Sequence, residues 1–439
     1  MTTGVRTQWF RPGWIVFALF TLYPVWWFLG IGQFVWAMAA LPLAAWALRQ
    51  RRFRRPPAVF LFGLYIAWAT FTIVRLDSGG RLLLFGLRYG VYLTSLGLAY
   101  YVYNERRVRR ETFVNWIALL WVWAIIGGYV GLLVPNGRLN VTAASLLLPR
   151  SLADNNFVGV LVRPRFAQVR NYFGVDLPRP STLWAYTNEW GGNVGLLTPF
   201  FLAATLFSPS PRMRRLGVIG LIVGTPPMIL SMNRGLWISV GAILVVVAVR
   251  SFLAGRTAPL KGLAIAIIAL VGVIVLTPLG TVVTGRLGDS DAGARSRIYA
   301  EAWEGAQKSP LLGWGGPRPS VDPLAPAIGT HGHLWYAMFS HGLVGAFLYV
   351  AFLIWAVFLV TRRRDPISIM LASVVVVGAL QMFFYNMFSG SLPLILVALG
   401  LCFRESSPPP AREHLKIRGA KMANSMAAYQ GSSVAKLRR

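Results

Sequence analysis

Long apolar blocks recur between residues 14 and 403, and they constrain the fold of this chain more than any other feature. A segment that crosses a bilayer needs roughly 20 mostly apolar residues, and a helix satisfies its own backbone hydrogen bonds there. The 439 residues are 56% apolar and only 13% charged, whereas a soluble domain is about 25% charged. We therefore predict an all-α, polytopic integral membrane protein, and we exclude a disordered chain, a disulfide scaffold and an ordinary cytosolic enzyme.

The apolar blocks divide into twelve predicted transmembrane helices, which form a single transmembrane domain over residues 1–403. Two long loops interrupt them, at 135–193 and 280–331, and a polar tail follows at 404–439. Because loops held by a rigid scaffold often contain functional residues, we expect the chemistry in these two loops. The predicted spans are 14–30, 31–48, 58–74, 82–103, 112–134, 194–207, 216–232, 235–249, 262–279, 343–360, 366–384 and 392–403.

The basic residues predict the orientation of these helices, because short cytoplasmic loops are enriched in lysine and arginine. With the N-terminus inside, 28 of the 43 basic residues fall in inside segments, 14 fall outside, and Arg88 lies within a span. Both termini are thus predicted to be cytoplasmic, both long loops extracytoplasmic, and the basic tail disordered. The net charge of +29 does not indicate a nucleic-acid partner, because the basic residues lie between membrane spans.

The outside segments are net positive, with 14 basic residues against nine acidic ones. Long loops escape the charge bias of short ones, so this excess either has no function or indicates an anionic ligand. Arg234 is the most informative of these residues. It lies where two predicted spans meet, after Pro226 and Pro227, which should break or bend the first span. It is either an interface arginine or a guanidinium that lines an outward cavity and suits phosphate oxygens.

The second long loop contains Arg295 and Arg297, close to the start of a predicted amphipathic helix at 298–307. They belong either to a solvated face or to an anion site, where exposed helix amides add positive charge. Asp289 and Asp291 form an acid pair in the same loop. Two carboxylates in a glycine-rich loop are weak evidence for a metal site, so we predict none.

Three of the four histidines, His331, His333 and His341, lie where the second long loop meets the tenth span. No acidic residue or further ligand is spaced to complete a zinc site with them. The single cysteine, Cys402, also excludes a cysteine cluster. A histidine in this position is either a base that works near neutral pH or a polar residue of the membrane interface.

The end of the first long loop combines polar and aromatic residues, among them Asn188 and Trp190. Such a combination suits a sugar surface, although the aromatic belt of a membrane interface explains the tryptophan equally well. Four arginines precede this stretch, as either a basic rim or ordinary solvated charge: Arg163, Arg165, Arg170 and Arg179.

Three motifs in the second half of the chain together resemble the bacterial O-antigen ligases and the related O-antigen polymerases. The resemblance covers roughly residues 216–360, and Asn233 and Gly332 depart from the usual Ser and Asn of the family. In chain order the matching elements are Asn233-Arg234-Gly235, then Gly293-Ala294-Arg295 with Tyr299 and Pro310-Leu311-Leu312-Gly313-Trp314-Gly315, and then His331-Gly332 with Gly342-Leu343-Val344-Gly345.

The resemblance implies a membrane glycosyltransferase at the outer face of the bacterial cytoplasmic membrane, in contact with membrane lipids. The donor would be a glycan on polyprenyl pyrophosphate, and the acceptor a hydroxyl of a lipid or of another glycan. The family reaction requires no metal, so no cofactor is expected. The same chemistry serves a ligase and a polymerase, and the motifs leave both open.

The resemblance also implies roles for particular residues. His331 would take the acceptor proton, while Arg234 and Arg295 would stabilise the pyrophosphate leaving group in place of a cation. We further expect a set of substrate-binding residues around them. That set is Arg297, His333, Arg179, Asn188 and Trp190.

Three other functions were weighed against this one. A transporter also has many spans, but the chain shows no related halves of the kind that transporters often contain. A metal-dependent membrane glycosyltransferase usually has an acid in its first outer loop, and here the first two predicted spans abut at residues 30 and 31. A scaffold protein would not need the clustered arginines and histidines.

Overall fold

The computed structural model describes residues 11–50, 52–153, 156–172, 174–258, 260–262, 264, 292–322 and 325–404. These residues form a mostly helical protein with one small β-hairpin, which confirms the helical prediction. The predicted span 262–279 lies almost entirely outside the described residues, as do residues 280–291 with Asp289 and Asp291, and the tail from 405 onward.

The helices before the hairpin are first short and then long. A π-helical turn, Phe17–Thr21, follows α1, and a 3₁₀ turn, Thr72–Arg75, follows α5. The helices are α1 (Trp14–Val16), α2 (Tyr23–Phe28), α3 (Val35–Met38), α4 (Ala40–Leu48), α5 (Val59–Phe71), α6 (Gly79–Asn104), α7 (Arg110–Leu133), α8 (Ala143–Leu147), α9 (Arg150–Ala153) and α10 (Asn156–Val162).

The hairpin consists of β1 (Ala167–Tyr172) and β2 (Val175–Pro180), which pair antiparallel with Ala167 opposite Pro180. The next helix begins at Thr187, several residues before the predicted span at 194. The later helices are α11 (Thr187–Leu206), α12 (Pro211–Leu230), α13 (Arg234–Leu253), α14 (Ala292–Lys308), α15 (His333–Val360), α16 (Pro366–Gln381) and α17 (Ser391–Cys402).

Five of the described helices are long and apolar enough to cross a bilayer: α6, α7, α12, α13 and α15. Four shorter apolar helical stretches accompany them, at Val35–Leu48, Val59–Arg75, Pro366–Gln381 and Ser391–Cys402. These helices agree with a membrane protein, while the number of twelve spans and the orientation remain predictions.

The first apolar region is not a pair of uninterrupted helices. The chain turns at Gly30, whose φ of 77° lies in the left-handed region that glycine adopts without strain. A Cβ on Gly30 would lie 2.3 Å from the Thr142 hydroxyl oxygen. The first long loop thus packs against this turn, and the turn brings Gln33 to the wall of the cavity described below.

Helix α12 continues through Pro226 and Pro227 instead of breaking there. A proline at 227 removes the amide that would bond to the carbonyl of Val223. The hydroxyl of Tyr129 donates to that carbonyl at 2.7 Å. A side chain from α7 therefore replaces the missing backbone donor, and the helix ends only at Leu230.

Helix α15 is interrupted at Gly342, whose φ of 71° and ψ of −176° are not helical. The segment at 310–315 fills the interruption. The amides of Trp314 and Gly315 donate to the carbonyls of Phe339 and Ser340 at 3.0 and 2.8 Å. A Cβ on Gly342 would lie 2.1 Å from the carbonyl oxygen of Leu311. Two motifs that are separate in the sequence are thus packed and hydrogen-bonded together in the structure.

Candidate functional site

A cavity of about 660 Å³ lies among α3, α6, the hairpin and the start of α11. The segment before α15 and the connection between α16 and α17 complete its wall. The segment from α3 and the helix α6 contribute mostly apolar residues, and the other elements contribute both polar and apolar ones. The apolar residues of the first group include Phe34, Ala37, Leu84, Leu87 and Val91.

The cavity collects positive charge. Three arginines line it, Arg88, Arg170 and Arg179, together with His331. Among its described lining residues Glu189 is the one carboxylate. A low-dielectric cleft with an excess of one charge concentrates ligands of the opposite charge, so the cavity suits an anion.

Sequence reasoning did not select Arg88 as a site residue. It lies within α6 and lines the cavity, where its guanidinium is 5.4 Å from the Tyr336 ring and 5.8 Å from the Phe388 ring. A signal was present, because an ionisable residue inside an apolar span generally marks a functional position. The aromatic faces stabilise the cation.

Two of the residues predicted to bind substrate, Arg179 and Asn188, line the cavity. Arg179 ends the hairpin and is only 7% exposed. Its Nε donates to the carbonyl of Ser231 at 2.8 Å, which connects the hairpin to the end of α12. The side chain is therefore held in place at the cavity wall, where the planar guanidinium suits an anionic group.

His331 also lines the cavity, and the neighbouring Thr330 orients it. The Thr330 hydroxyl donates to the carbonyl of Ala327 at 2.7 Å, and its oxygen lies 3.2 Å from His331 Nδ1. A hydroxyl has one proton. With that proton on Ala327, the oxygen can only accept from Nδ1–H, which leaves Nε2 as the nitrogen that takes a proton.

Glu189 lies in the first turn of α11, ahead of the predicted span that starts at 194. Ser389 Oγ donates to its Oε1 at 2.5 Å, and the Ala185 amide and Gln33 Nε2 donate to its Oε2 at 3.2 and 3.4 Å. Burial outweighs these hydrogen bonds and raises the pKa of Glu189 to about 7.

Arg234 is the first residue of α13 and is half-buried, but it does not line the cavity. Its neighbour Asn233 caps the helix by accepting from the Leu236 amide at 3.2 Å. Asn233 also donates to the carbonyl of Thr187 at 3.1 Å and accepts from the hydroxyl of Tyr385, which does line the cavity. A serine would cap the helix too, whereas the longer asparagine also joins α13 to α11.

The backbone explains the second departure from the family pattern, at Gly332. Its φ of 94° with ψ of 133° favours glycine, and a Cβ there would lie 2.5 Å from the carbonyl oxygen of Phe383. This close approach lets the His333 amide donate to the carbonyl of Tyr385 at 2.9 Å. The start of α15 is thereby attached to the connection between α16 and α17.

Of the two predicted site arginines in the second long loop, Arg297 does not line the cavity. Arg295 belongs to the first turn of α14, and its side chain lies outside what the structure describes. The Arg297 side chain is 70% exposed and lies 4.0 Å from the carboxylate of Asp322. Helix α14 still contacts the site region, since Tyr299 stacks on Trp335 with ring centroids 4.4 Å apart.

Two predicted substrate-binding residues are packed in the interior instead of lining the cavity. Trp190 is fully buried, and its Nε1 donates to the carbonyl of Ala124 at 3.1 Å. His333 is also fully buried, with its ring 4.7 Å from Tyr349 and 4.9 Å from Phe388. Because neighbouring side chains cover them, both residues form part of the core in this structure.

Among the described residues, no group of three histidine, cysteine, aspartate or glutamate side chains is placed to hold a metal ion. The acid pair at Asp289 and Asp291 lies outside those residues. The metal-free reaction remains a prediction.

Comparison with known families identifies part of the chain. No curated protein matches it. Residues 219–350 match the family described as O-antigen ligase. This segment contains Arg234, Arg295 and His331, whereas α6 and the hairpin, which supply other parts of the cavity wall, precede it. The match confirms the resemblance drawn from the three motifs, since residues 219–350 are similar to the O-antigen ligase family.

Proposed function

We propose that this protein transfers a glycan from a polyprenyl-pyrophosphate donor to an acceptor hydroxyl, at the outer face of the bacterial cytoplasmic membrane. One observation supports this most strongly. A single cavity combines His331 with Arg88, Arg170 and Arg179 and has an apolar wall on α3 and α6. A pyrophosphate with a lipid tail needs both a cationic and an apolar surface.

The proposed reaction is a single displacement at the anomeric carbon. The acceptor oxygen forms a bond to this carbon, and the bond from the carbon to the pyrophosphate oxygen breaks. The electron pair leaves with the pyrophosphate, and the acceptor proton moves to His331 Nε2. Arginines in the cavity stabilise the charge on the leaving group as it develops.

Two of the cavity arginines have defined contacts with the surrounding protein. Arg179 donates to the Ser231 carbonyl, and Arg88 lies beside the Tyr336 and Phe388 rings. Arg234 remains in the proposal, because Asn233 next to it contacts Tyr385 in the cavity wall. Arg295 remains as well, on its position in the matched segment.

Ligation to a lipid and extension of a glycan share this chemistry, so the acceptor must be found by experiment. Purified protein in lipid nanodiscs would receive a polyprenyl-pyrophosphate oligosaccharide, with a lipopolysaccharide core in one arm and a second lipid-linked repeat unit in another. Mass spectrometry would show which acceptor gains mass. We expect transfer that survives EDTA and is lost in His331→Ala. Absence of transfer with both acceptors would contradict the proposal.

A further inference from the structure

Glu189 is a carboxylate in a cavity that otherwise collects positive charge, and the reaction proposed above does not use it. Within the described residues no arginine or lysine nitrogen lies within 4.0 Å of its oxygens, so it does not belong to a structural ion pair. Its side chain lines the cavity. A half-buried carboxylate without a charged partner is costly, which calls for another reason for its presence.

The carboxylate is held in a fixed position. Donors reach it from the side chains of Ser389 and Gln33 and from the backbone of Ala185 and Tyr186. Ser389 is itself fixed, because its carbonyl accepts from Trp184 Nε1 at 2.9 Å and from Asn193 Nδ2 at 3.0 Å. These hydrogen bonds hold the carboxylate, and with it a negative charge, at one place on the cavity wall.

The side chains around Glu189 form a hydrogen-bonding patch on the cavity wall. Gln33, Asn188 and Ser389 line the cavity beside it and are uncharged. Amide and hydroxyl groups donate and accept, which suits the ring hydroxyls of a sugar. The ionised carboxylate only accepts, so it binds O–H donors and repels another carboxylate.

We propose that Gln33, Asn188, Glu189 and Ser389 form a sugar subsite that takes an uncharged ring and rejects a uronic acid, with Glu189 as the specificity-determining residue. This inference rests on the proposed function in one respect, namely that the cavity binds a glycan. The ring belongs either to the donor or to the acceptor, and both present the same hydroxyl chemistry.

The test measures binding of methyl glucoside and methyl glucuronide to the full-length protein in nanodiscs by saturation-transfer NMR at pH 8.5. Polyprenyl pyrophosphate without a sugar is added first, so that the cavity arginines are occupied and do not attract the glucuronide. We expect the wild type to bind the glucoside roughly tenfold or more tightly than the glucuronide, because like charges at close range are strongly unfavourable.

Glu189→Gln removes the charge and keeps the shape, so it should bring the two affinities close together. Glu189→Asp keeps the charge and should keep the rejection. Asp176→Asn is the matched control, because Asp176 is an exposed carboxylate on the β-hairpin and does not line the cavity. An unchanged ratio in Glu189→Gln, a changed ratio in Asp176→Asn, or no preference in the wild type would overturn the subsite.

The outcomes separate this inference from the proposed function. If polyprenyl pyrophosphate does not bind, the proposed function fails. The ratio of glucoside to glucuronide affinity can still be compared between wild type and Glu189→Gln in the absence of polyprenyl pyrophosphate. Repeating the titration with polyprenyl pyrophosphate-linked glucose assigns the subsite. Loss of glucoside binding assigns it to the donor sugar, and retention assigns it to the acceptor.

Discussion

Replacing Thr330 by valine tests the proposed role of His331 without removing the histidine. The Thr330 oxygen lies 3.2 Å from His331 Nδ1, and its proton is already directed at the Ala327 carbonyl at 2.7 Å. Valine keeps the size of the side chain and removes the acceptor for Nδ1–H. The ring then loses the contact that selects the tautomer with a lone pair on Nε2.

The expected loss follows from the value of one hydrogen bond. A neutral hydrogen bond of this kind contributes about 0.5–1.5 kcal/mol, which corresponds to an about 2- to 10-fold lower fraction of correctly oriented His331. The Ala327 carbonyl keeps a second donor, the Thr330 amide at 3.2 Å, so local unfolding is not expected. His331→Ala, which removes the base itself, should cost roughly 10²- to 10⁴-fold in rate.

The assay is the steady-state rate of glycan transfer in nanodiscs, with kcat and KM measured separately. We expect Thr330→Val to lower kcat about 2- to 10-fold with little change in KM for the donor, and Thr330→Ser to restore kcat. If Thr330→Ser does not restore kcat, or if Thr330→Val changes mainly KM, then Thr330 contributes to packing and does not orient the His331 imidazole. Full activity in His331→Ala would refute the base assignment itself.

Three further predictions concern charge, backbone and pH. Arg179→Lys should lower kcat/KM in the transfer assay roughly a hundredfold, because lysine keeps the charge but loses the planar fork. Arg150→Lys is the control and should leave kcat/KM unchanged, because Arg150 on α9 does not line the cavity. Gly342→Ala should destabilise the protein by about 1–3 kcal/mol, since alanine is strained at a φ of 71° and its Cβ would collide with the Leu311 carbonyl. Gly241→Ala, at a helical site with open space, should leave the thermal midpoint unchanged or higher. Rejection of methyl glucuronide should weaken as the pH falls through about 7, where Glu189, its pKa raised by burial, takes up a proton. The other ionisable groups near this carboxylate or in the cavity are His331, Tyr23, Tyr186, Arg88, Arg170 and Arg179. The pH dependence of glucuronide rejection that remains in Glu189→Gln measures their contribution.

The sequence shows the family motifs, but it does not show that two of them contact each other in the folded protein. Residues 310–315 and Gly342 matched the family as separate elements. In the structure the amides of Trp314 and Gly315 donate hydrogen bonds to the carbonyls of Phe339 and Ser340. The interruption of the helix at Gly342 makes these carbonyls available. No pattern within either segment indicates which distant backbone group will complete it.

Membrane class and family follow from local properties of the sequence. A run of apolar residues must form a helix in a bilayer whatever surrounds it, and three short motifs in order were enough to indicate the O-antigen ligases, which the match over residues 219–350 confirms. The sequence pointed to His331, Arg179 and Asn188, because loops held by a rigid scaffold often contain functional residues. All three line the cavity, and their roles stay predictions.

Only the tertiary structure decided which residues face the cavity. Trp190 and His333 look like binding residues in the sequence, yet both are fully buried, whereas Arg88 and Glu189 line the cavity. Burial depends on side chains that arrive from distant parts of the chain, such as Phe388 beside His333 and Ser389 beside Glu189. Apolar composition is the same for a lipid-facing, a core and a cavity-lining residue, so packing alone distinguishes them.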